Sequence, residues 1–265
     1  MKSDTPLSRI MAIIKTLRGE NGCPWDRKQT PETMANYLVE EVYELVDAIA
    51  SGKPESVLEE LGDVLFLLFF IIGLYEESGH FNLEQVAAAG ADKMIRRHPH
   101  VFADAEVADS DEVRQQWHEI KKEEKNHQPR ASILDSIPKS LPALMRAYRV
   151  SERAARIGFD WENITGVMNK VEEEWKELVD ELTPIGHKAT DSQSQALEFG
   201  DVLFTLVNVA RFARIHPETA LSASTRKFET RFRHMEKSAE SADRVLEDLP
   251  REEMERLWNK AKNEV

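Results

Sequence analysis

The sequence predicts an all-α protein made of two tandem, repeated helical-bundle domains. Three observations support this class: apolar residues recur at helical spacing, no segment shows strand-like alternation, and one acidic two-part pattern occurs twice. The repeat places one domain at residues 1–122 and the other at 143–265. The segment between them, 123–142, is charged and then proline-containing, and we interpret it as a linker.

The first half contains five segments that favour helices. Thr30 precedes Pro31, an N-cap followed by proline at the first helical position, so a helix is expected to begin there. Gly52 and Pro54 end that helix before the next begins. The predicted helices cover residues 7–18, Pro31 to about 50, Glu55 to about 78, 83–97, and a last helix from about 109.

The second half repeats this order. Its helices are predicted at about 144–155, 163–182, Glu198 to about Ile215, from Pro217, and from Pro250. A polar stretch from Gly186 to Gln195 separates the second and third of them and predicts a long loop. The corresponding connection in the first half is only Ser51 to Pro54.

The acidic pattern places carboxylates one helical turn apart at the edge of apolar helices. In helical geometry, residues at i and i+3 share a face, so each half offers two acidic pairs. We name these sets the first acidic quartet, Glu41, Glu44, Glu60 and Asp63, and the second acidic quartet, Glu174, Glu177, Glu198 and Asp201. Acidic runs on helices are usually solvated faces, but these recur beside core-forming sequence. Adjacent carboxylates repel, which a hard divalent cation would relieve.

The chemistry of the neighbouring residues favours Mg²⁺ over iron. Di-iron bundles use Glu-x-x-His, and no histidine stands three residues after any glutamate of the two quartets. Carboxylate oxygens are ligands that Mg²⁺ prefers. The sequence contains no glycine-rich phosphate loop of the Walker or Rossmann type.

Cations and tryptophans also recur at matching positions. Lys93 and Arg97 correspond to Lys227 and Arg231, and the spacing of Trp117 and Lys121 is repeated by Trp258 and Lys262. The basic pairs suit either a polyphosphate or the C-terminal end of a helix dipole. Trp258 suits either the core or a platform for a base.

Composition limits the partners and the compartment. A net charge of -13 argues against binding to nucleic acid or to an anionic membrane. The apolar run from Val64 to Leu74 is too short for a bilayer, which needs about 20 residues. Cys23 is the single cysteine, and the N-terminus lacks a signal-peptide pattern. We therefore expect a soluble cytoplasmic protein.

At these residues the chain resembles the MazG family of bacterial nucleoside triphosphate pyrophosphohydrolases. The family signature is Glu-Glu-x-x-Glu, a spacer, and Glu-x-x-Asp, and both halves match it at every acidic position. The segments Gly22 to Asp26 and Ala154 to Trp161 also resemble tandem-domain members. The resemblance implies an all-α fold, Mg²⁺ dependence and homodimerisation. It also implies hydrolysis of nucleoside triphosphates, including ATP and dNTPs, to monophosphate and pyrophosphate.

The resemblance also assigns roles to residues. It implies that the second acidic quartet holds Mg²⁺, with Glu173 as orienting group or base. Lys227 and Arg231 would neutralise the triphosphate, and Trp258 and Lys262 would close the site. The matching set in the first domain is Glu41, Glu44, Glu60, Asp63, Lys93 and Arg97.

One sequence difference predicts that the second domain is the better catalyst. Lys170 stands four residues before Glu174, where a cation can reach a phosphate, whereas Tyr37 stands at the matching place before Glu41. The alternative is that Lys170 pairs with Glu174 on the surface. For the whole chain, the alternative function is a non-catalytic nucleotide-binding regulatory or scaffold module.

Overall fold

The computed structural model describes residues 5–125, 132–183 and 192–264, and all regular structure in these ranges is helical. The all-α prediction is therefore confirmed. The chain forms two compact units that meet in sequence between Gln128 and Pro129, inside the predicted linker. The first unit contains α1 Pro6–Arg18, α2 Pro31–Ser51, α3 Pro54–Glu77, α4 Leu83–Arg97, α5 Pro99–Phe102 and α6 Ser110–Lys125. The second contains α7 Ala143–Ala155, α8 Ile164–Leu182, α9 Ser192–Phe212, α10 Pro217–Glu240 and α11 Arg251–Glu264.

The helices differ from the sequence-based ones at α9 (which also ends earlier, at Phe212), at the end of α6, and at the short α5, which was not predicted. The predicted loop from Gly186 to Gln195 is wrong at its end, because α9 already begins at Ser192. Gln195 explains this early start: its amide Nε2 donates to the carbonyl oxygen of Glu181 at 3.1 Å and satisfies a free carbonyl in the last turn of α8. The rest of that loop, residues 184–191, lies outside the described residues. Helix α6 extends to Lys125, into the predicted linker.

A tight helical hairpin, α2 and α3, dominates the first unit. Thr30 and Thr33 cap the start of α2 reciprocally, each hydroxyl accepting from the other's backbone N–H. Gly52 ends α2 with a φ of 69°, a left-handed conformation that glycine adopts without strain. Because α3 begins at Pro54, the two helices pack directly against each other and bring their acidic residues together. Helices α8 and α9 form the equivalent pair in the second unit.

The contact between the first and third helices of the first unit has an apolar centre, flanked by ion pairs from Lys15 to Glu76 and from Arg18 to Glu77. Ile14 of α1, Met34 of α2 and Phe70 of α3 are fully buried there. Gly73 lets α1 approach α3 closely, since a Cβ at this position would lie 3.3 Å from the Cγ2 of Ile14. The close packing of these side chains fixes α1 against the hairpin.

The corresponding contact in the second unit is polar. The buried hydroxyl of Ser151 on α7 donates to Oδ1 of Asn208 on α9. Arg211, which occupies the position of Gly73 when the two acidic motifs are superimposed in sequence, donates its Nε to Ser151 Oγ at 2.7 Å. Its guanidinium also lies 4.7 Å from the ring centre of Phe212. Buried hydrogen bonds therefore join α7 to α9 at Ser151 and Asn208, whereas the buried centre of the contact between α1 and α3 is apolar.

Among the described residues, no helix combines the length and the apolar character needed to cross a lipid bilayer.

Candidate active site

Helices α2 and α3 bring three carboxylates of the first acidic quartet together. One oxygen each of Glu41, Glu60 and Asp63 lies within 4.8 Å of the other two. Glu44 is exposed, outside this group, and near enough to act on it electrostatically. Burial raises the pKa of Glu41 and of Glu60, and the charge of Glu44 raises both further. The carboxylates of this group therefore repel one another, as the sequence predicts.

The second unit builds the same arrangement on α8 and α9. One oxygen each of Glu174, Glu198 and Asp201 lies within 4.8 Å of the others. Glu174 is buried, with 7% of its surface exposed, and Glu177 is exposed outside the group. Burial raises the pKa of Glu198 first, and the charges of Glu177 and Asp201 raise it further.

The donor sets in both units are suited to a hard divalent cation. They consist of carboxylate oxygens contributed by two facing helices, with no sulfur or nitrogen ligand in either group. Burial and then the repulsion between carboxylates raise the pKa of Glu60 and Glu198, and a bound cation would offset that repulsion. These residues therefore fit the Mg²⁺ that the sequence analysis expects.

Lys170 contacts the second group directly. Its Nζ lies 2.7 Å from Oε1 of Glu173 and 2.8 Å from Oε1 of Glu174. These contacts raise the pKa of Lys170 above its usual value, the bond to Glu173 contributing most. The pairing with Glu174 named as the alternative is therefore present, but Glu174 is buried rather than on the surface.

Tyr37, the residue of the first unit that matches Lys170, does not contact the acidic group through a charge. Tyr37 packs against Trp25, with ring centres 5.6 Å apart. Within the described ranges, no lysine, arginine or histidine forms an ion pair with Glu41, Glu60 or Asp63. The two acidic groups are alike in geometry and differ in their cationic neighbour.

The predicted phosphate ligands of the second unit lie on α10. Lys227 is exposed, while the Nε of Arg231 is buried and has no hydrogen-bond partner in the part of the chain that the structure describes. A buried guanidinium N–H without an acceptor is costly, and an anion would satisfy it. Within the same described part, neither residue forms an ion pair with the second acidic quartet.

Trp258 on α11 packs into the core of the second unit. Its ring lies 5.1 Å from that of Phe228, and it contacts the buried cluster that joins α10 to α11. The Nζ of Lys262 lies 6.0 Å from the ring centre of Trp258 and 3.3 Å from Oδ1 of Asn259. Trp258 therefore packs against the core while remaining partly exposed, which is compatible with both roles weighed for it.

The equivalent cations of the first unit lie on α4. Lys93 is exposed, and Arg97 is mostly buried, with its Nη2 2.6 Å from Oε2 of Glu124 on α6. The sequence analysis did not anticipate this pairing, because Glu124 belongs to a charged stretch that resembles a solvated face.

A loop beside the second acidic group lines a concavity of about 640 Å³. It is formed by residues 160–163 together with Thr165, Gly166 and Asn169, and Asn169 stands one helical turn before Glu173. Arg211 anchors this loop by donating from Nη1 to Oδ2 of Asp160 at 2.9 Å. Sequence reasoning missed Ser151, Asn208 and Arg211. The available signal was the placement of polar residues within apolar helical segments.

Comparison with known proteins agrees with the repeat. The model of the MazG nucleotide pyrophosphohydrolase domain matches residues 29–102 and again residues 162–236. The chain is 41% identical over 259 residues to a nucleoside triphosphate pyrophosphohydrolase of Escherichia coli (strain K12), covering 97% of both chains. It is 42% identical to the Thermotoga maritima nucleoside triphosphate pyrophosphohydrolase/pyrophosphatase MazG, covering 96% of this chain and 94% of that one. A Bacillus subtilis protein, YabN, is 44% identical over 96% of this chain and 51% of its own length.

Proposed function

Because the chain belongs to the MazG nucleotide pyrophosphohydrolase family and is a hydrolase of that class, we propose that it cleaves nucleoside triphosphates in a Mg²⁺-dependent reaction. The substrates include ATP and deoxynucleoside triphosphates, and the products are the nucleoside monophosphate and pyrophosphate. The observation that supports the metal dependence is the close approach of Glu174, Glu198 and Asp201, repeated in the first unit. We also propose that the protein acts in the cytoplasm.

The carboxylates would hold the metal, and the remaining residues act on substrate and water. Glu174, Glu198 and Asp201 would be its ligands, with Glu177 beside them. When bound, Mg²⁺ would lower the pKa of a water molecule and neutralise phosphate oxygens. The reaction forms a bond from water oxygen to the α-phosphorus and breaks the bond from that phosphorus to the leaving pyrophosphate oxygen.

Glu173 is the proposed acceptor of the proton from the attacking water. Lys170 holds its carboxylate at 2.7 Å and therefore limits the orientations it adopts. The same ammonium group lies at the edge of the acidic group, where it is able to contact a phosphate oxygen. Lys170 thus connects the base to the metal ligand Glu174.

The cations of α10 are proposed to bind the part of the triphosphate that leaves. Arg231 presents a buried N–H that lacks an acceptor, and an anionic oxygen would supply one. Lys227, one turn before it, adds charge at an exposed position. Lys262 is proposed to approach the substrate from α11, where Trp258 supports it through packing.

We also propose that the enzyme is a homodimer. The helices that carry the carboxylates expose large apolar side chains one turn apart, Leu58 (74% exposed) and Leu61 on α3, and Phe199 (54% exposed) and Leu203 on α9. Contiguous exposed apolar residues on a helix favour burial against a partner. A second copy offers the same faces and allows a symmetric contact. Light scattering during gel filtration measures the mass, and a monomer at micromolar concentration would contradict the proposal.

The deciding experiment measures products with and without metal. Purified protein with Mg²⁺ and ATP should release AMP and pyrophosphate, and excess chelator or Glu177→Gln should stop the reaction while the helical content is retained. Orthophosphate and ADP as main products would contradict attack at the α-phosphorus. Tight nucleotide binding without any product would favour the alternative, a non-catalytic binding module.

A further inference from the structure

The first unit contains a compact cationic cluster where α4 meets α6. Arg96 and Arg97 end α4, and the guanidinium of Arg97 lies 5.5 Å from the ring centre of Trp117 on α6. The Nζ of Lys121 lies 4.1 Å from the ring centre of the same tryptophan. Two cations therefore lie near the ring of Trp117. Each is attracted to the ring, but this attraction offsets only part of the repulsion between the two positive charges.

Glu124 forms ion pairs with both arginines of this cluster. Its Oε2 accepts from Nη2 and Nε of Arg97 at 2.6 and 3.1 Å, and its Oε1 accepts from Nε of Arg96 at 2.7 Å. The side chain of Arg97 is only 11% exposed and that of Glu124 only 19%. Hydrogen bonds from Arg97 and then Arg96 lower the pKa of Glu124 to about 2, so the carboxylate is charged at any physiological pH.

The second unit keeps the arginine without this contact. Arg231 matches Arg97 in the repeat, and its buried Nε has no hydrogen-bond partner among the described residues. The Nε of Arg97 thus donates to an internal carboxylate, whereas the Nε of Arg231 has no acceptor in the described part of the second unit.

We propose that Arg96 and Arg97 form a polyphosphate-binding site that Glu124 occupies as a built-in anion, so that the first unit binds a triphosphate only when Glu124 is displaced. This inference rests on the proposed function, since it takes Arg97 as a phosphate ligand. Two oxygens of one carboxylate engage two arginines, as two oxygens of a phosphate chain would. The contact holds the first unit closed to substrate while the second unit remains open.

A purely structural role for Glu124, joining α4 to α6, predicts a different result, because its removal would then lower stability and leave anion affinity unchanged. The probe is inorganic tripolyphosphate in excess chelator, measured by titration calorimetry on the full chain carrying Arg231→Met, which weakens binding to the second unit. Glu124→Gln should raise the affinity about tenfold. Glu123→Gln is the matched control, since this neighbour is exposed and loses the same charge. Adding Arg97→Met to Glu124→Gln should cancel the gain.

Equal affinities in Glu124→Gln and Glu123→Gln would overturn the inference. If Glu124→Gln does not fold, Glu124→Asp decides instead. This variant keeps the charge but shortens the reach of the carboxylate to the arginines. It should bind tripolyphosphate more tightly than the parent chain, by less than Glu124→Gln would. An unchanged affinity would contradict the inference. The proposed function is measured separately, as pyrophosphate release from ATP and Mg²⁺ by the unmodified chain. If the proposed function is wrong, no pyrophosphate is released in that assay, and the tripolyphosphate titrations in chelator still test the role of Glu124.

Discussion

The ammonium nitrogen of Lys170 lies 2.8 Å from a carboxylate oxygen of Glu174, one helical turn away on α8. Glu174 is the buried member of its acidic group, so this lysine offsets part of the charge that a metal would otherwise neutralise. Tyr37, its counterpart in the first unit, packs on Trp25. This difference distinguishes the two otherwise similar acidic groups.

Replacing Lys170 should weaken both the metal-free fold and catalysis. In Lys170→Met, Glu174 loses its cationic partner, and we expect the Tm in chelator to fall by about 2–4 °C, a modest change because the lysine is partly exposed. Excess Mg²⁺ should recover most of that loss. Lys176→Met is the control, because Lys176 is exposed on the same helix and its replacement removes the same charge. Equal losses in the two variants would contradict a specific role for the Lys170 contact.

Magnesium should stabilise the protein through the second acidic group. With Mg²⁺ a hundredfold above its dissociation constant, we expect a rise in Tm of about 5–10 °C for the unit that binds it. Asp201→Asn should remove the rise for the second unit, and Asp180→Asn, an exposed change on α8, should not. Differential scanning fluorimetry with a Mg²⁺ series provides the measurement. A full response in Asp201→Asn would exclude that residue as a ligand.

The two units should contribute unequally to turnover. Asp201→Asn should lower pyrophosphate release by about 100-fold or more, the expected effect of losing a metal ligand in the active unit. Asp63→Asn, the same change at the matching position, should leave most of the activity. The assay compares both variants on one mixture of nucleoside triphosphates. Similar losses, or a larger loss in Asp63→Asn, would show that Lys170 does not mark the better catalyst.

The ion pairs of Glu124 should make the first unit sensitive to acid. The pKa of Glu124 is lowered to about 2, below its ordinary value of 4.5, so its contribution to stability is fully present above that ordinary value. It is then lost as the pH falls toward 2. We expect the Tm difference between the unmodified protein and Glu124→Gln to be constant above about pH 5 and to shrink below it. Glu123→Gln should follow the unmodified protein throughout, and a difference that is independent of pH would contradict the assignment.

The helices and the acidic groups could be predicted because they depend on local periodicity. Residues at i and i+3 share a helical face in any packing arrangement, so Glu60 and Asp63 were placed correctly from spacing alone. The contacts of Glu124 and Arg211 could not be predicted in this way. Each depends on how two helices approach each other, and a glutamate in a charged stretch has the same local pattern whether it meets water or an arginine. The early start of α9 likewise depends on the contact between Gln195 and α8.

The placement of each acidic group within one helical hairpin has a consequence for how such proteins are assembled. All carboxylates of the first group lie within residues 41–63, and the turn between the helices is short, so little chain entropy is lost in bringing them together. A duplication that copies one hairpin therefore copies a complete set of clustered carboxylates. The surrounding residues are then able to diverge, as Tyr37 and Lys170 have, without any change in the carboxylates themselves.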